Sequence, residues 1–543
     1  MAHSTRDPIR LEVFKHLFAA IAEEMGVVLQ KASYSPNIKE RRDFSCAIFN
    51  SQGDMVSQAA HIPVHLGSMP LSVAAAIQKF AGQQASLSPG DVIVLNDPYY
   101  GGTHLPDITM VTPVFDQSQG GVSSPTTESP LLGFVASRAH HADVGGMTSG
   151  SMPVAREIYQ EGLVIPPLKL MSAGEMDQGL MELILANVRT PDERSGDLWA
   201  QIAANQRGVM RFQELVTRYG FEEVDDYMQG LLQYTEHMTR RLIESLPDGT
   251  YRFTDYLDDD GVSDQLVPVT VQVNIEHDEA LVDFTGSAPQ QTGGSVNAVF
   301  AITLSAVYYV FRCLIGLDVP NNSGCLVPIR VVAPEGTVVN AVRPAPVAGG
   351  NVETSQRIVD VLLGALSQAV PQSVPAASQG TMNNVTIGGR SESDIPFAYY
   401  ETIGGGMGAR PWANGPSAVH SHMTNTLNTP VEALEYAYPI QVLRYEIRHG
   451  SGGKGRFHGG DGIRRDIQVL VDSQVSLLTE RRRLEPYGLS GGMPGASGKN
   501  LLIRGGAERE LPGKGTFYLQ GGDILSIRTP GGGGFGSEEK GMT

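Results

Sequence analysis

A histidine and an aspartate stand three residues apart in NDPYYGGTHLPDITM, residues 96–110, just ahead of an apolar run. A second polar segment, RAHHADVGG at residues 138–146, carries two histidines and another aspartate. Imidazole nitrogen and carboxylate oxygen together suit zinc, manganese or ferrous iron. Three protein ligands leave positions open for water or a substrate, as catalytic sites require. The two segments therefore suggest a catalytic metal site that uses His104 and Asp107 with a residue of the second segment.

The elements around these two segments would bring them together. Residues 108–115 and 131–138 are apolar, rich in β-branched side chains and of strand length, and the polar residues 116–130 between them predict an exposed loop. In an antiparallel hairpin the start of the first strand lies beside the end of the second. The sequence thus predicts a hairpin that places both polar segments at one end of a sheet.

Spacing alone leaves the third ligand open. His140 and His141 are neighbours, and neighbouring side chains at a strand end point to opposite faces, so only one of them should bind. Asp143 is a candidate ligand, or a partner that orients a histidine. His141 and Asp143 are also the candidates for moving protons during catalysis.

Six further polar residues are candidates for substrate binding: Arg41, Asp43, His61, His65, Asn96 and Asp97. The first two, with Arg42 between them, could bind an anionic intermediate or form a plain ion-pair cluster. The two histidines lie four apart in HIPVHLGS, where Pro63 favours a loop over a helix. They either line a substrate cavity or belong to the core.

Three other features have a chemical and a plainer interpretation. Cys46 is a candidate nucleophile, although a small buried thiol in a strand is more common. His420, His422 and Asn425 could form a polar wall, or belong to a hydrogen-bonded loop. The basic run at residues 481–483 is interpreted as a solvated turn.

Composition limits the class of protein and of partner. Lys and Arg total 40 and Asp and Glu total 58, a formal net charge of −18, which argues against nucleic acid or an anionic membrane as the main partner. Three cysteines imply no disulfide framework, and MAHSTRDPIR shows no secretory signal, so a cytoplasmic location is expected. The apolar run at residues 298–317 contains Arg312 and predicts a buried helix rather than a membrane span.

A chain of 543 residues is too long for one hydrophobic core. Helical periodicity begins after Asp7-Pro8, returns from about residue 70, and dominates residues 181–245. A predicted antiparallel meander follows Pro247-Asp248-Gly249, and the last third is dense in glycine with short strands between. We expect an α+β, multi-domain body of antiparallel sheets with helices. Its parts would be an α/β part (1–245) with the metal-site hairpin, a meander with buried helices (246–390), and a glycine-rich, β-rich part (391–543).

The chain resembles the hydantoinase B/oxoprolinase family over roughly residues 7–536. The segments that carry the resemblance, in the family's order, are ERRDFSCAIFN, HIPVHLGSMP, NDPYYGGTHLPD, RAHHADVGG, HMTNTLNTPVEALE, SGGKGRFHGGDG and TPGGGGFG. The resemblance implies a divalent metal, zinc before manganese or iron, held by His104, Asp107 and His140. It also implies a hydantoinase A-type partner subunit that binds ATP and phosphorylates a substrate oxygen, in a hetero-oligomer such as a heterotetramer.

The same resemblance implies a reaction. Family complexes open cyclic amides such as hydantoins, 5-oxoproline or lactams, so the chain is expected to be a hydrolase subunit that delivers activated water to the phosphorylated ring. The sequence contains no GxxxxGK[ST] segment, and its glycine-rich runs do not open a helix after a strand, so no nucleotide site is predicted and ATP would act only through the partner. Two alternatives stay open: a subunit of an ATP-dependent ketone carboxylase, and a non-catalytic scaffold for the A-type subunit.

Overall fold

The computed structural model describes residues 6–59, 61–80, 86–116, 130–316 and 318–538 as an α+β body with several antiparallel sheets. The α-helices within these residues are α1 (Pro8–Ala32), α2 (Pro36–Lys39), α3 (Ser68–Phe80), α4 (Gln178–Ala186), α5 (Pro191–Tyr219), α6 (Phe221–Glu244), α7 (Phe300–Ile315), α8 (Ser355–Leu366) and α9 (Val431–Ala437). The strands are β1 (Phe44–Asn50), β2 (Met55–Gln58), β3 (Val92–Leu95), β4 (Asp107–Phe115), β5 (Leu131–His140), β6 (Leu168–Ser172), β7 (Glu175–Met176), β8 (Gly249–Leu257), β9 (Val267–Glu276), β10 (Glu279–Asp283), β11 (Ile329–Val332), β12 (Asn384–Arg390), β13 (Pro396–Glu401), β14 (Ile440–Arg448), β15 (Gly462–Val469), β16 (Ser473–Leu478), β17 (Lys499–Arg504), β18 (Ala507–Leu511), β19 (Lys514–Leu519) and β20 (Ile524–Arg528).

The first helix begins where the sequence predicts it. The carboxylate of Asp7 accepts a hydrogen bond from the backbone N–H of Ile9 at 3.0 Å, and Pro8 occupies the first helical position. Phe14, Phe18 and other apolar residues at helical spacing are buried against α5 and α6. This helix therefore covers one face of the sheet that follows it.

The predicted hairpin is confirmed and forms the centre of a seven-stranded sheet. Its order is β2-β1-β5-β4-β3-β6-β7, and every neighbouring pair is antiparallel. Within the hairpin Asp107 pairs directly with His140, so the first residue of β4 faces the last residue of β5. The predicted loop at residues 116–130 falls largely outside the described residues, which resume at Pro130.

The middle of the chain forms the predicted meander, with one addition. Strands β8, β9 and β10 pair antiparallel, and β11, which the sequence did not predict, joins β10 in parallel. The apolar run forms the buried helix α7. In the part of the chain that the structure describes, no helix is long and apolar enough to cross a membrane.

The last third contains two sheets that enclose a core of their own. Their orders are β13-β12-β16-β19 and β14-β15-β20-β17-β18, and the buried side chains between them include Val385, Ile467 and Leu525. A separate, larger core joins the seven-stranded sheet to the meander, with Val94 and Val271 in one cluster. The predicted boundaries at residues 245 and 390 stay predictions.

The glycine-rich segments pack backbone against backbone. Gly460 donates its N–H to the carbonyl of Met407 at 2.8 Å, Gly532 donates to Gly460 at 2.9 Å, and Gly453 donates to Gly532 at 2.8 Å. A Cβ added at Gly532 would lie 2.0 Å from the carbonyl oxygen of Met407. Glycine is required there because only a residue without a side chain allows strands of backbone to approach so closely.

Candidate metal centre

Three donor atoms meet at the end of the β4–β5 hairpin. His104 Nε2 lies 3.1 Å from Asp107 Oδ1 and 3.1 Å from His140 Nδ1, and His140 Nδ1 lies 3.3 Å from Asp107 Oδ1. All three side chains are buried. Two of these donor atoms belong to Asp107 and His140, which pair directly across the two strands, so the register of the hairpin sets their separation. A backbone hydrogen bond of 3.1 Å from Asp107 N to His104 O turns the chain and adds the third donor.

The spacing of the three atoms fits a small divalent ion. Ligands about 2.1 Å from an ion stand about 3.4 Å apart in tetrahedral geometry and about 3.0 Å apart at neighbouring octahedral corners. The observed separations of 3.1 to 3.3 Å lie between these values. Without an ion, the two imidazole nitrogens and the carboxylate oxygen would lie in mutual contact, and each contact needs a proton between its two atoms to be a hydrogen bond. The donor set therefore suits a metal that prefers nitrogen and oxygen ligands.

Contacts to Oδ2, the second oxygen of Asp107, orient its carboxylate. Its Oδ2 accepts a hydrogen bond from the hydroxyl of Thr103 and lies 3.4 Å from His65 Nε2, whose Nδ1 is 2.8 Å from Ser45 Oγ. Burial alone would raise the pKa of Asp107, but His104 beside it and hydrogen bonds from His104, His140 and His65 hold that pKa well below its usual range. Asp107 is thus a carboxylate at neutral pH, as a metal ligand must be.

The structure brings His140, and not His141, to the donor group. Burial lowers the pKa of His140, which favours the neutral imidazole that binds metals. His141 faces the other side of the sheet, where its Nε2 lies 2.9 Å from Gln201 Oε1 on α5. Burial lowers the pKa of His141 to about 4, so it is also neutral, but it is held against a helix.

Asp143 is engaged within its own loop. Its carboxylate accepts hydrogen bonds from the backbone N–H groups of Gly145, Gly150 and Arg189, and it pairs with the Arg189 guanidinium at 2.9 Å. These contacts fix the turn that follows His140 and His141. The geometry favours the positioning alternative for Asp143 over a ligand role.

Arg41 packs behind the donor group rather than into it. Its nitrogens donate to the side chains of Asn37, Thr402 and Thr426 and to the carbonyls of Leu427 and Tyr400. Its guanidinium also lies 5.0 Å from the centre of the Tyr400 ring, whose plane is stacked on His140. With its nitrogens occupied by the protein, Arg41 fits the structural alternative. Asp43 lies beside it, with a backbone carbonyl that accepts the His140 N–H at 3.0 Å.

Asn96 and Asp97 brace the loop that carries His104. The amide of Asn96 donates to the carbonyls of Leu105 and Leu163, and its oxygen accepts from Ile165 N. Asp97 accepts from Tyr99 N at 3.0 Å and pairs with Arg343. Both N–H groups and the oxygen of the Asn96 side chain therefore have partners inside the protein.

The two histidines of HIPVHLGS have different surroundings. His65 is buried against Asp107, whereas His61 lines a surface cavity of about 310 Å³ with Glu23, Arg42 and Asn425. Pro63 begins a short 3₁₀ turn and not an α-helix. His420 is half-buried and His422 is buried. Cys46 is also buried, and burial raises the pKa of its thiol, which disfavours a nucleophilic thiolate.

One interpretation of the sequence is wrong. The basic run at residues 481–483 is not a solvated turn throughout: Arg483 is exposed and Arg482 half-buried, but Arg481 is only 1% exposed. Its guanidinium pairs with Asp255 at 2.6 Å and with Asp360 at 2.8 Å. These carboxylates come from the meander and from α8, and the sequence gives no local sign that they meet the arginine.

Two side chains near the donor group were not expected from the sequence. Tyr400 of β13 stacks on the His140 ring, with 4.2 Å between ring centres. Asn351, in the π-helical turn Gly350–Thr354, places its Nδ2 3.1 Å from His104 Nε2. In the sequence, the pair Gly349-Gly350 ahead of Asn351 indicates a close backbone approach at this point.

Known proteins match this chain over nearly its whole length. A family model described as hydantoinase B/oxoprolinase matches residues 7–538. The chain is 41% identical to 5-oxoprolinase 1 of Arabidopsis thaliana, over 99% of this chain and 42% of that protein. It is 33% identical to a putative D-/L-hydantoinase B-type subunit of a Pseudomonas species, over 98% of this chain and 90% of that protein. The chain thus spans about two fifths of the length of the plant relative.

Two solved structures have the same fold. The ATP-dependent caprolactamase of Pseudomonas jessenii superposes with a TM-score of 0.89 at 30% identity, over 98% of this chain and 92% of that one. A nucleotide-free acetone carboxylase superposes with a TM-score of 0.88 at 20% identity, over 98% of this chain and 76% of that one. The second likeness concerns the fold alone.

Proposed function

The chain belongs to the hydantoinase B/oxoprolinase family, and we propose that it is the ring-opening subunit of an ATP-dependent cyclic amide hydrolase. The substrate class is a hydantoin, 5-oxoproline or lactam whose amide oxygen is phosphorylated by a hydantoinase A-type partner. The observation that carries the proposal is the buried group His104, Asp107 and His140, with donor atoms 3.1 to 3.3 Å apart. The names of the 5-oxoprolinase, hydantoinase and caprolactamase relatives support the substrate class.

The chemistry explains why two activities are needed. An amide carbon is a poor electrophile, and phosphorylation of its oxygen removes electron density from that carbon. Water then adds to the carbon, and the ring C–N bond breaks as the nitrogen takes a proton, which leaves an acyl phosphate and an amine, or a urea group in the case of a hydantoin. A second water releases phosphate and a carboxylic acid. Loss of phosphate straight from the hydrated carbon would restore the amide, so the C–N bond has to break first.

The residues of this chain have defined parts in that scheme. A divalent ion, with zinc preferred over manganese or iron, would supply Lewis acidity and would lower the pKa of a water bound to it from about 15.7 towards about 7. His104, Asp107 and His140 would hold it, and Thr103 and His65 would keep Asp107 oriented. Proton relay by His141 or Asp143 stays a prediction, and the contacts of both with the protein point instead to positioning.

Elemental analysis of the purified chain, beside His104→Ala and Asp107→Ala, tests the metal centre. We expect one equivalent of metal in the wild type and none in the variants. Ring opening of 5-oxoproline, a hydantoin and caprolactam, assayed with the A-type subunit and ATP, should then disappear in both variants. Wild-type turnover in metal-free protein would contradict the proposal. Product formation that depends on bicarbonate would favour the ketone carboxylase, and variants that lose only assembly would favour the scaffold.

A further inference from the structure

The π-helical turn before α8 carries a fourth polar group into the metal centre. Asn351 is 4% exposed, and its Nδ2 lies 3.1 Å from His104 Nε2. The Oδ1 atom of the same amide is buried and has no hydrogen-bond partner. Turns of this type are rare and occur often at functional sites.

The turn is held in place from several sides. Gly350 donates its N–H to Ser295 O at 2.8 Å, and a Cβ at Gly350 would lie 1.8 Å from Asn297 O. Ahead of the turn, Glu161 accepts the N–H groups of Val347 and Ala348, both at 2.9 Å. The position of the Asn351 side chain is therefore set by the surrounding backbone before any ligand arrives.

The contact between Asn351 and His104 conflicts with a bound ion. An ion held by His104, Asp107 and His140 takes the lone pair of His104 Nε2, so Nε2 can no longer accept an N–H from Asn351. Rotation of the amide by 180° exchanges its oxygen and nitrogen, which have nearly the same size. The oxygen then stands about 3.1 Å from His104 Nε2, which is the spacing of the other donors.

We propose that Asn351 completes the metal centre through Oδ1 and presents its Nδ2 hydrogens to the substrate. In the rotated amide the nitrogen occupies the buried position that now has no protein partner. A buried donor without a partner costs about 1–3 kcal/mol until it is satisfied. An oxygen of the phosphorylated cyclic amide is an acceptor of the required kind. This inference rests on the proposed metal-dependent function.

Two substitutions separate the two roles of Asn351. Asn351→Asp keeps an oxygen donor for the ion but removes the N–H donor, whereas Asn351→Ala removes both. Asn205→Ala is the matched control, because Asn205 is also fully buried with an unpartnered Oδ1, but its amide donates to Met110 O and Thr112 Oγ1 on the sheet. His104→Ala serves as the variant without a metal site.

The measurements are zinc affinity by chelator competition, the visible spectrum of the cobalt-substituted chain, and ring opening with the A-type subunit. We expect Asn351→Ala to bind zinc about 10-fold to 100-fold more weakly and to change the cobalt spectrum. Asn351→Asp should bind zinc at least as tightly as the wild type but lose ring opening, and Asn205→Ala should bind zinc as the wild type does.

The outcomes distinguish this inference from the proposed function. Zinc affinity of Asn351→Ala within about threefold of the wild type, with an unchanged cobalt spectrum, overturns the ligand role. Full ring opening by Asn351→Asp overturns the substrate contact. A wild-type chain that binds no metal overturns the proposed function itself, and the Asn351 inference with it. Thermal unfolding of each variant shows whether a weaker affinity reflects a damaged fold.

Discussion

The ring of Tyr400 lies nearly parallel to the ring of His140, with 4.2 Å between their centres and 12° between their planes. The two residues come from different sheets, β13 of the C-terminal part and β5 of the hairpin. The hydroxyl of Tyr400 donates to Asn384 Oδ1 at 2.9 Å, which fixes the ring. A strand from the last third of the chain therefore sets the orientation of a metal-ligand candidate in the first third.

The stacking predicts a graded effect on metal affinity. Tyr400→Phe keeps the ring but removes the hydrogen bond to Asn384, so we expect it to weaken metal binding by less than about threefold. Tyr400→Ala removes the ring that supports His140, and we expect a loss of about tenfold or more, as for other residues that orient ligands. Chelator competition measures both. Equal affinities for the two variants would show that the stacking does not orient His140.

Asp143 is expected to matter for stability more than for chemistry. Asp143→Ala leaves Arg189 without its carboxylate and frees three backbone N–H groups. A buried backbone N–H left without its acceptor costs about 1–3 kcal/mol. We expect a lower urea-unfolding midpoint with metal content unchanged. Normal stability together with lost ring opening would instead support the proton relay predicted from the sequence.

Glu161 should make the stability of the chain depend on pH. Burial raises the pKa of its carboxyl to about 7, from an ordinary value of 4.5, although the N–H groups of Ala348 and Val347 oppose the shift. A carboxyl whose folded pKa is raised stabilises the folded state most below pH 4.5, and this contribution is lost as the pH rises through 7. Glu161→Gln cannot titrate and lacks this dependence.

Urea unfolding of the wild type and Glu161→Gln between pH 5 and pH 8 checks this expectation. The advantage of the wild type over the variant should shrink with rising pH, by at most about 3 kcal/mol. Parallel pH profiles for the two proteins would mean that Glu161 does not titrate in this range.

The glycine contacts predict opposite effects for two similar substitutions. Gly532→Ala places a methyl group 2.0 Å from Met407 O, so backbone has to move, and we expect a destabilisation of more than about 3 kcal/mol. Gly179→Ala, near the start of α4, meets no atom closer than 3.5 Å. It should stabilise the chain by about 0.5–1 kcal/mol. Thermal unfolding compares them, and a mild effect at Gly532 would contradict the close packing.

The parts of the site that the sequence predicts are those that depend on local patterning. Apolar, β-branched runs define β4 and β5, and the pairing of a hairpin then brings Asp107 to His140. The π-helical turn at Asn351 and the stacked ring of Tyr400 lie far along the chain, and no periodicity marks a residue for contact with a distant strand. Arg481 was misjudged for the same reason, because its partners Asp255 and Asp360 come from other elements.

The hairpin also has a consequence for how the protein is made. His104, Asp107 and His140 leave the ribosome long before Asn351 and Tyr400, which contact His104 and His140 in the finished fold. A growing chain therefore offers its three donors to any cation in the surroundings, whereas in the folded chain none of the three is more than 2% exposed. An ion that reached these side chains after synthesis would need a movement of the surrounding protein to enter. If these three side chains hold an ion, its loading would be fastest before the fold is complete, so the time at which the cation arrives would matter as well as its affinity.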